Sequence, residues 1–300
     1  MRTAGNPHVS VVMPTFNRAS DLDRVLTRLE QIVEPRGGFE VIVVDDGSTD
    51  ESNAVLMRHP KVKAIRQVNS GPAAARNRGW HAAEGEIVVF TDDDVLPGSE
   101  WLVELCRPFY SDPKLGGVGG SIQPMIPGHL ADFVQDERHV GHGMDESVRY
   151  LVTANAAYRR RALERVGGFD EAFTEAAGED VDLSQRVLAA GYGLEVVDSA
   201  TVFHDHRTGF RAIIRHYRRA GRARARLAQE HPAMGVKAYA TERSSHDPLH
   251  VRRYRASGYG PLKVTMFAAL RSVCILVFAF GVIEYHVTTF VAQRATGSRG

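Results

Sequence analysis

Apolar positions in the first third of the chain alternate between two spacings. Residues 9–13, 41–44, 62–67 and 87–90 are short runs rich in β-branched or aromatic side chains, each bounded by Gly, Pro or polar residues, and they read as strands. Between them, Leu22, Val25, Leu26, Leu29 and Ile32 recur at helical spacing behind Ser20, a candidate helix cap. Pro72 suits the first turn of a helix running through Ala73, Ala74 and Ala75. Strand and helix patterns alternate through four units, which predicts an α/β fold: a mostly parallel sheet with helices on both faces.

Each strand runs into a polar loop. The loops are Pro14-Thr15-Phe16-Asn17-Arg18, Asp45-Asp46-Gly47-Ser48-Thr49-Asp50, Asn69-Ser70-Gly71-Pro72 and Asp92-Asp93-Asp94. Loops at the carboxyl ends of parallel strands gather on one edge of the sheet, so Thr15, Asp46, Arg76 and the three aspartates are expected to converge. Three adjacent carboxylates repel, and a fold keeps them together when a cation or a donor-rich ligand neutralises them. A hard divalent ion that binds oxygen and bridges phosphates suits such a site. The ordinary alternative is a solvated acidic turn.

These four motifs, in this order and with Ala75-Arg76-Asn77 after the third, resemble those of the family 2 glycosyltransferases. The resemblance continues through Gly167-Gly168-Phe169-Asp170-Glu171 and Gly178-Glu179-Asp180-Val181-Asp182-Leu183 and weakens after about residue 210. It implies the GT-A fold, a Rossmann-like nucleotide-binding domain that uses a divalent metal, Mg2+ or Mn2+. A catalytic domain over 1–210 is expected, with a nucleotide-sugar half at about 1–122 and an acceptor half at about 123–210, followed by a helical extension over 211–300.

The same resemblance assigns roles. Thr15 and Arg18 pack around the base and ribose of a nucleoside-diphosphate sugar. Asp46 hydrogen-bonds the base, with Asp45 the alternative, and Arg76 lies near the nucleotide, where a guanidinium suits phosphate. Asp92 faces the ribose and Asp94 binds the metal; Asp93, counted with donor binding, could share either role because three consecutive acids leave the register open. Asp180 is the general base, with Glu179 beside it. One base and one leaving group on opposite sides of the anomeric carbon imply direct displacement with inversion, a transferase of hexosyl type. Asn155 falls in the stretch that floors the donor-sugar and acceptor site, and residues 123–148 are the expected acceptor loop.

His204 and His206 occupy alternate positions after the apolar Thr201-Val202-Phe203, so both could face a metal, with His204 the favoured ligand. A surface His-Asp pair is the competing reading.

Charge changes the picture of the tail. Residues 1–205 carry 20 Lys+Arg against 32 Asp+Glu and residues 206–300 carry 17 against 4, so net charges of −12 and +13 hide behind a total of +1. Arginines spaced by three and four from Arg211 to Arg226 share a helical face. Beyond them, residues 264–283 hold only one charge, Arg271, over a length that suits a membrane span. A spanning helix, a helix that lies along the interface or packs on a partner, and a buried core helix all fit this run. The neighbouring basic stretch favours an anionic lipid surface, and without interleaved aromatics it does not suit nucleic acid. Met1 through His8 lack a signal-peptide pattern, and Cys106 and Cys274 suggest neither disulfide nor zinc site.

Together these features predict a glycosyltransferase on the cytoplasmic side of a membrane, acting on a hydroxyl acceptor that is lipid-linked or part of a cell-envelope glycan. The arginine-rich segment lacks the Gln-x-x-Arg-Trp pattern of processive members of the family it resembles, which implies addition of one or a few sugars rather than polymer synthesis. A sugar nucleotidylyltransferase would carry a Gly-rich loop after the first strand, where Pro14-Thr15-Phe16-Asn17-Arg18 has none. A non-catalytic, membrane-anchored nucleotide-sugar-binding protein would not need the intact acids.

Overall fold

The computed structural model describes residues 8–126, 128, 130, 133, 150–205, 209–230 and 251–297. The chain forms two compact units, one of Met1–Ile126 with Glu146–Asp205, the other of Pro127–Asp145 with His206–Gly300.

In the first unit, strands β1 (Val9–Thr15), β2 (Phe39–Asp45), β3 (Val62–Arg66) and β4 (Ile87–Thr91) alternate with helices α1 (Ala19–Leu29), α2 (Ser52–Arg58) and α3 (Pro72–Ala82). After β4 come β5 (Val95–Pro97), α4 (Trp101–Ser111), β6 (Leu115–Pro124), β7 (Asn155–Arg159), α5 (Arg160–Val166), α6 (Glu179–Ala189) and β8 (Gly193–His204). One eight-stranded sheet runs in the order β3-β2-β1-β4-β7-β6-β8-β5. The pairs among β1 to β4 are parallel, as is β6 with β8, while β4–β7, β6–β7 and β5–β8 are antiparallel.

Strand alternation decides which helix covers which face. Val9, Val11 and Met13 join a core with Leu22, Val25, Leu26 and Leu29 of α1 and Leu102 and Leu105 of α4. Val12, with Ile42, Val44, Val88 and Phe90, faces the other way onto Ala73, Ala75 and Trp80 of α3 and Leu183 and Val187 of α6. Both faces are thus buried, and the polar loops are left at the strand ends.

Ser20 does not cap α1. The helix starts at Ala19, whose N–H donates to Asp50 Oδ2 at 2.9 Å, while Asp50 Oδ1 accepts from the Ser52 N–H at 3.1 Å. A carboxylate from the next loop reaches the orphan amide first and satisfies the starts of two helices, which places Ser20 inside the first turn.

The second unit contains α7 (Phe210–Glu230), α8 (Val251–Ala256) and α9 (Pro261–Gly297). Its core gathers Phe133, Ile213, Tyr254, Val264, Phe267 and Cys274. Among the described residues one helix, Pro261–Val291, is long and apolar enough to cross a membrane, with a mean hydropathy of 2.3 and only 17% of its most apolar window buried. A helix at the core of a soluble protein would be mostly covered, so the buried-core reading of this run does not hold.

Candidate active site

Four loops of the first unit are stitched together by their own polar groups. The Asp46 N–H donates to Thr15 O at 2.9 Å, extending the pairing of β1 with β2 into the loops. The Asp46 carboxylate accepts from Gln67 Nε2 at 2.8 Å, the Ser70 N–H at 2.8 Å and the Gly71 N–H at 3.0 Å, so it gathers the β3–α3 loop. Asp45 is buried, accepts from the Ser48 N–H at 2.7 Å and has Arg66 Nη1 at 3.1 Å. Asn17 sits at φ 53, and its Oδ1 accepts from the Thr49 N–H at 2.7 Å. Asn and Asp tolerate this left-handed region better than other non-glycine residues because their short side chains bond locally.

The three aspartates divide: Asp92 and Asp94 bring ligand atoms to one place, and Asp93 turns to another. Asp93 turns toward β1, where Thr15 Oγ1 donates to its Oδ2 at 2.7 Å and Arg18 stands 3.5 Å away. Burial outweighs the Arg18 charge and pushes the Asp93 carboxyl up to about 7. Asp94 takes a hydrogen bond from Arg18 Nη1 and lies 3.4 Å from His204 Nε2. The antiparallel pairing of β5 with β8 sets Val95 opposite His204, and the Asp205 N–H donates to Asp94 O at 3.1 Å, which fixes the histidine beside the acid run. Asp92, Asp94 and His204 each offer a ligand atom within 4.8 Å of the others. Two carboxylates and an imidazole are a donor set that a divalent transition ion accepts, so these residues could hold the expected metal.

Arg76 connects this group to the acid pair at the start of α6. It is 3% exposed; Nη2 donates to Asp92 Oδ1 at 2.8 Å and Nη1 to Glu179 Oε1 at 3.0 Å. Burial opposes its charge, but the carboxylates of Asp92 and Glu179 overcome it and raise its pKa. Glu179 is buried, and its Oε2 and Arg76 Nε have no hydrogen-bond partner among the described residues. Burial raises the Glu179 pKa against the pull of Arg76. Asp180 beside it keeps part of its surface exposed while its carboxyl is enclosed by its neighbours; this burial first, and then the Glu179 charge, push it up to about 7.

Thr15, Arg18, Asp46, Arg76, Asp92, Asp93, Asp94, Glu179, Asp180 and His204 therefore lie on two contact runs, one from Asp46 through Thr15, Asp93, Arg18 and Asp94 to His204 and one from Asp92 through Arg76 to the acid pair, which meet where Asp92 and Asp94 come together. Asn155 is committed elsewhere: Trp101 Nε1 donates to its Oδ1 at 2.7 Å, and its Nδ2 donates to Ser121 O at 2.9 Å and Ala200 O at 2.8 Å. His206 and most of residues 123–148 lie outside the described residues.

Sequence reasoning assigned no task to Asn77. Its Nδ2 donates to Phe169 O at 2.9 Å, and its Oδ1 accepts from the Phe169 N–H at 2.8 Å and Trp80 Nε1 at 2.9 Å. It ties α3 to the loop that leads into Glu179. An Asn inside an alanine-rich helix, where its propensity is poor, is the signal that could have marked it.

The model of glycosyl transferase family 2 matches residues 10–167. The chain belongs to this family. A second model, described as the N-terminal domain of galactosyltransferase, matches residues 141–209. Among curated family members, a pre-mycofactocin glycosyltransferase of Mycobacterium tuberculosis is 37% identical over 236 residues, covering 75% of this chain and 48% of the relative. A validoxylamine A glucosyltransferase of Streptomyces hygroscopicus is 31% identical over 65% of this chain and 54% of its own length. The chain thus spans about half the length of these relatives. Among solved structures, a mannosyltransferase of Pyrobaculum calidifontis in complex with GDP-Man and Mn2+ shares the fold, with a TM-score of 0.67 at 22% identity over 93% of this chain and 88% of that one.

Proposed function

We propose that this family 2 member is an inverting, metal-dependent glycosyltransferase that moves a sugar from a nucleoside-diphosphate donor to a hydroxyl acceptor, lipid-linked or part of a cell-envelope glycan, at a membrane surface. The observation that carries the reading is the Arg76 bridge: one guanidinium bonds both Asp92 of the candidate metal group and Glu179 of the acid pair.

In this reading Asp94 and His204, with Asp92 beside them, hold the divalent ion. When bound, it stabilises the negative charge that grows on the departing diphosphate. Thr15 and Arg18 line the nucleoside, and their bonds to Asp93 and Asp94 hold these side chains ready. The two oxygens of Asp46 already accept three bonds, yet a carboxylate offers about four lone-pair directions, so one remains for the base.

Asp180 accepts the proton of the acceptor hydroxyl as that oxygen bonds to the anomeric carbon. The carbon's bond to the diphosphate oxygen breaks from the opposite face, and its electron pair leaves with the nucleoside diphosphate. A carboxyl raised to about 7 is matched to this task near neutral pH.

A thermal-shift screen of nucleoside diphosphates with Mn2+ identifies the donor base, since a ligand that binds only the native state raises its apparent stability. With the donor in hand, Asp180→Asn should abolish transfer while keeping donor binding, and NMR of the product should show an inverted anomeric centre. Near-normal turnover of this variant, or retained configuration, overturns the reading.

A further inference from the structure

We infer that the second unit is an in-plane membrane anchor: α7 and α9 lie side by side along an anionic bilayer surface, α9 turned toward the acyl chains and α7 toward the lipid phosphates, without α9 crossing the bilayer. This rests on the membrane surface in the proposed function and decides how the chain meets it.

The packing of the two helices is the first argument. They run in the same direction. Ile213 shares a core with Phe267 and Cys274, Gly221 meets Phe278, and Gln229 Oε1 accepts from the Tyr285 hydroxyl at 3.0 Å. Gly221 and Gly281 let the backbones touch: a Cβ at the first would stand 2.1 Å from Phe278 O, and one at the second 2.2 Å from Arg218 O. The acidic residue of the apolar helix, Glu284, accepts from Arg218 Nε at 2.8 Å, so the same contact cancels its charge.

Charge is the second. Helix α7 carries seven arginines, from Arg211 to Arg226, against the single acid Glu230. Arg218 is near Gly281, and Ala225 lines a hollow with Val287 and Phe290, so the arginine helix accompanies the same segment of α9 that would have to occupy hydrocarbon. A spanning α9 would carry that helix to bilayer depth, where each guanidinium disfavours insertion by about a hundredfold.

The third argument is the face α9 leaves bare. Val273, Leu276, Phe280, Ile283, Val287 and Phe290 are all exposed and step along the helix by threes and fours, one continuous apolar stripe. A second copy could cover such a stripe, but pairing would bring two arginine helices of the same charge into one assembly. An anionic bilayer supplies both the apolar cover and the counter-charge.

The test uses the full chain with vesicles of phosphatidylcholine, with and without phosphatidylglycerol. Leu276→Trp, Ile283→Trp and Phe290→Trp are compared for quenching by lipids brominated at graded acyl positions; the native Trp80 and Trp101 are buried and give a constant background. The expected result is a shallow, equal depth at all three positions, with binding at least tenfold tighter to the anionic vesicles. Reversing Arg211 and Arg215 to Glu should weaken that binding at least tenfold without loss of helicity. A graded depth with one deep position means a spanning helix and overturns the in-plane arrangement alone. Failure to bind either vesicle, with a concentration-dependent dimer instead, overturns it together with the membrane reading.

Discussion

Arg76 and Glu179 form a buried ion pair, Nη1 to Oε1 at 3.0 Å, between residues 103 positions apart in sequence. Removing one partner strands the other. Arg76→Met should lower the unfolding free energy by about 3 kcal/mol, because an uncompensated buried carboxylate costs more than the pair contributes. Urea denaturation measures this. Arg76→Lys keeps the charge but cannot bond both carboxylates through one planar fork, so it should recover part of the stability while transfer stays low.

Loss of a candidate metal ligand should appear in binding before any turnover is measured. Asp94→Asn and His204→Ala are each expected to weaken Mn2+ binding at least tenfold by calorimetry. Chelation should abolish transfer, and added Mn2+ should restore it. Mn2+ affinity unchanged in both variants would place the ion elsewhere.

The pH dependence follows from Asp180. A base must be ionised, so the rate should climb as pH rises through about 7 and level off above it. Stability moves the other way. An acid whose folded pKa lies above its unfolded value binds more protons when folded, so its contribution is fully present below about 4 and is lost as pH rises toward 7. Asp93, raised for the same reason, acts in the same direction. Asp180→Asn should therefore flatten the fall in melting temperature between pH 5 and pH 8, and an unchanged slope would assign it to other groups.

Asn155→Leu should separate scaffold from site. It strands the buried Trp101 indole N–H, at about 1–3 kcal/mol, and removes one bond each from the Ser121 and Ala200 carbonyls. A melting temperature lowered by several degrees with unaltered donor affinity is the expected pair of results; a large rise in the donor Kd with normal stability would return Asn155 to the site.

The half of the sheet that alternates with helices was legible because its signals are local. The strands around Val11, Val43, Ala64 and Val89 end within two residues of where the apolar pattern stops. The other half is written in contacts. Strand β6 contains Gly116, Gly117, Gly119 and Gly120, a composition that argues against a strand, and it forms because Leu151, Tyr158 and Tyr192 fill the space where its side chains would be. The candidate site divides the same way. Spacing marks the acids as a group, but only the fold decides that Asp93 turns to Thr15 while Asp92 and Asp94 share a direction with His204. Which lone pairs of Asp46 are already taken, and that Asn155 is spent on holding three strands, depend on partners too distant for any pattern to reveal.

Helix α3 places Arg76 and Asn77 side by side, the first fastened to Asp92 and Glu179 and the second to Phe169. Any substitution that shifts or rotates this helix disturbs the candidate metal group and the acid pair at once. Libraries that seek a new sugar donor should leave α3 untouched, keep Asn17 and Thr49, which fasten their two loops to each other, and vary the solvent-facing Phe16 between them.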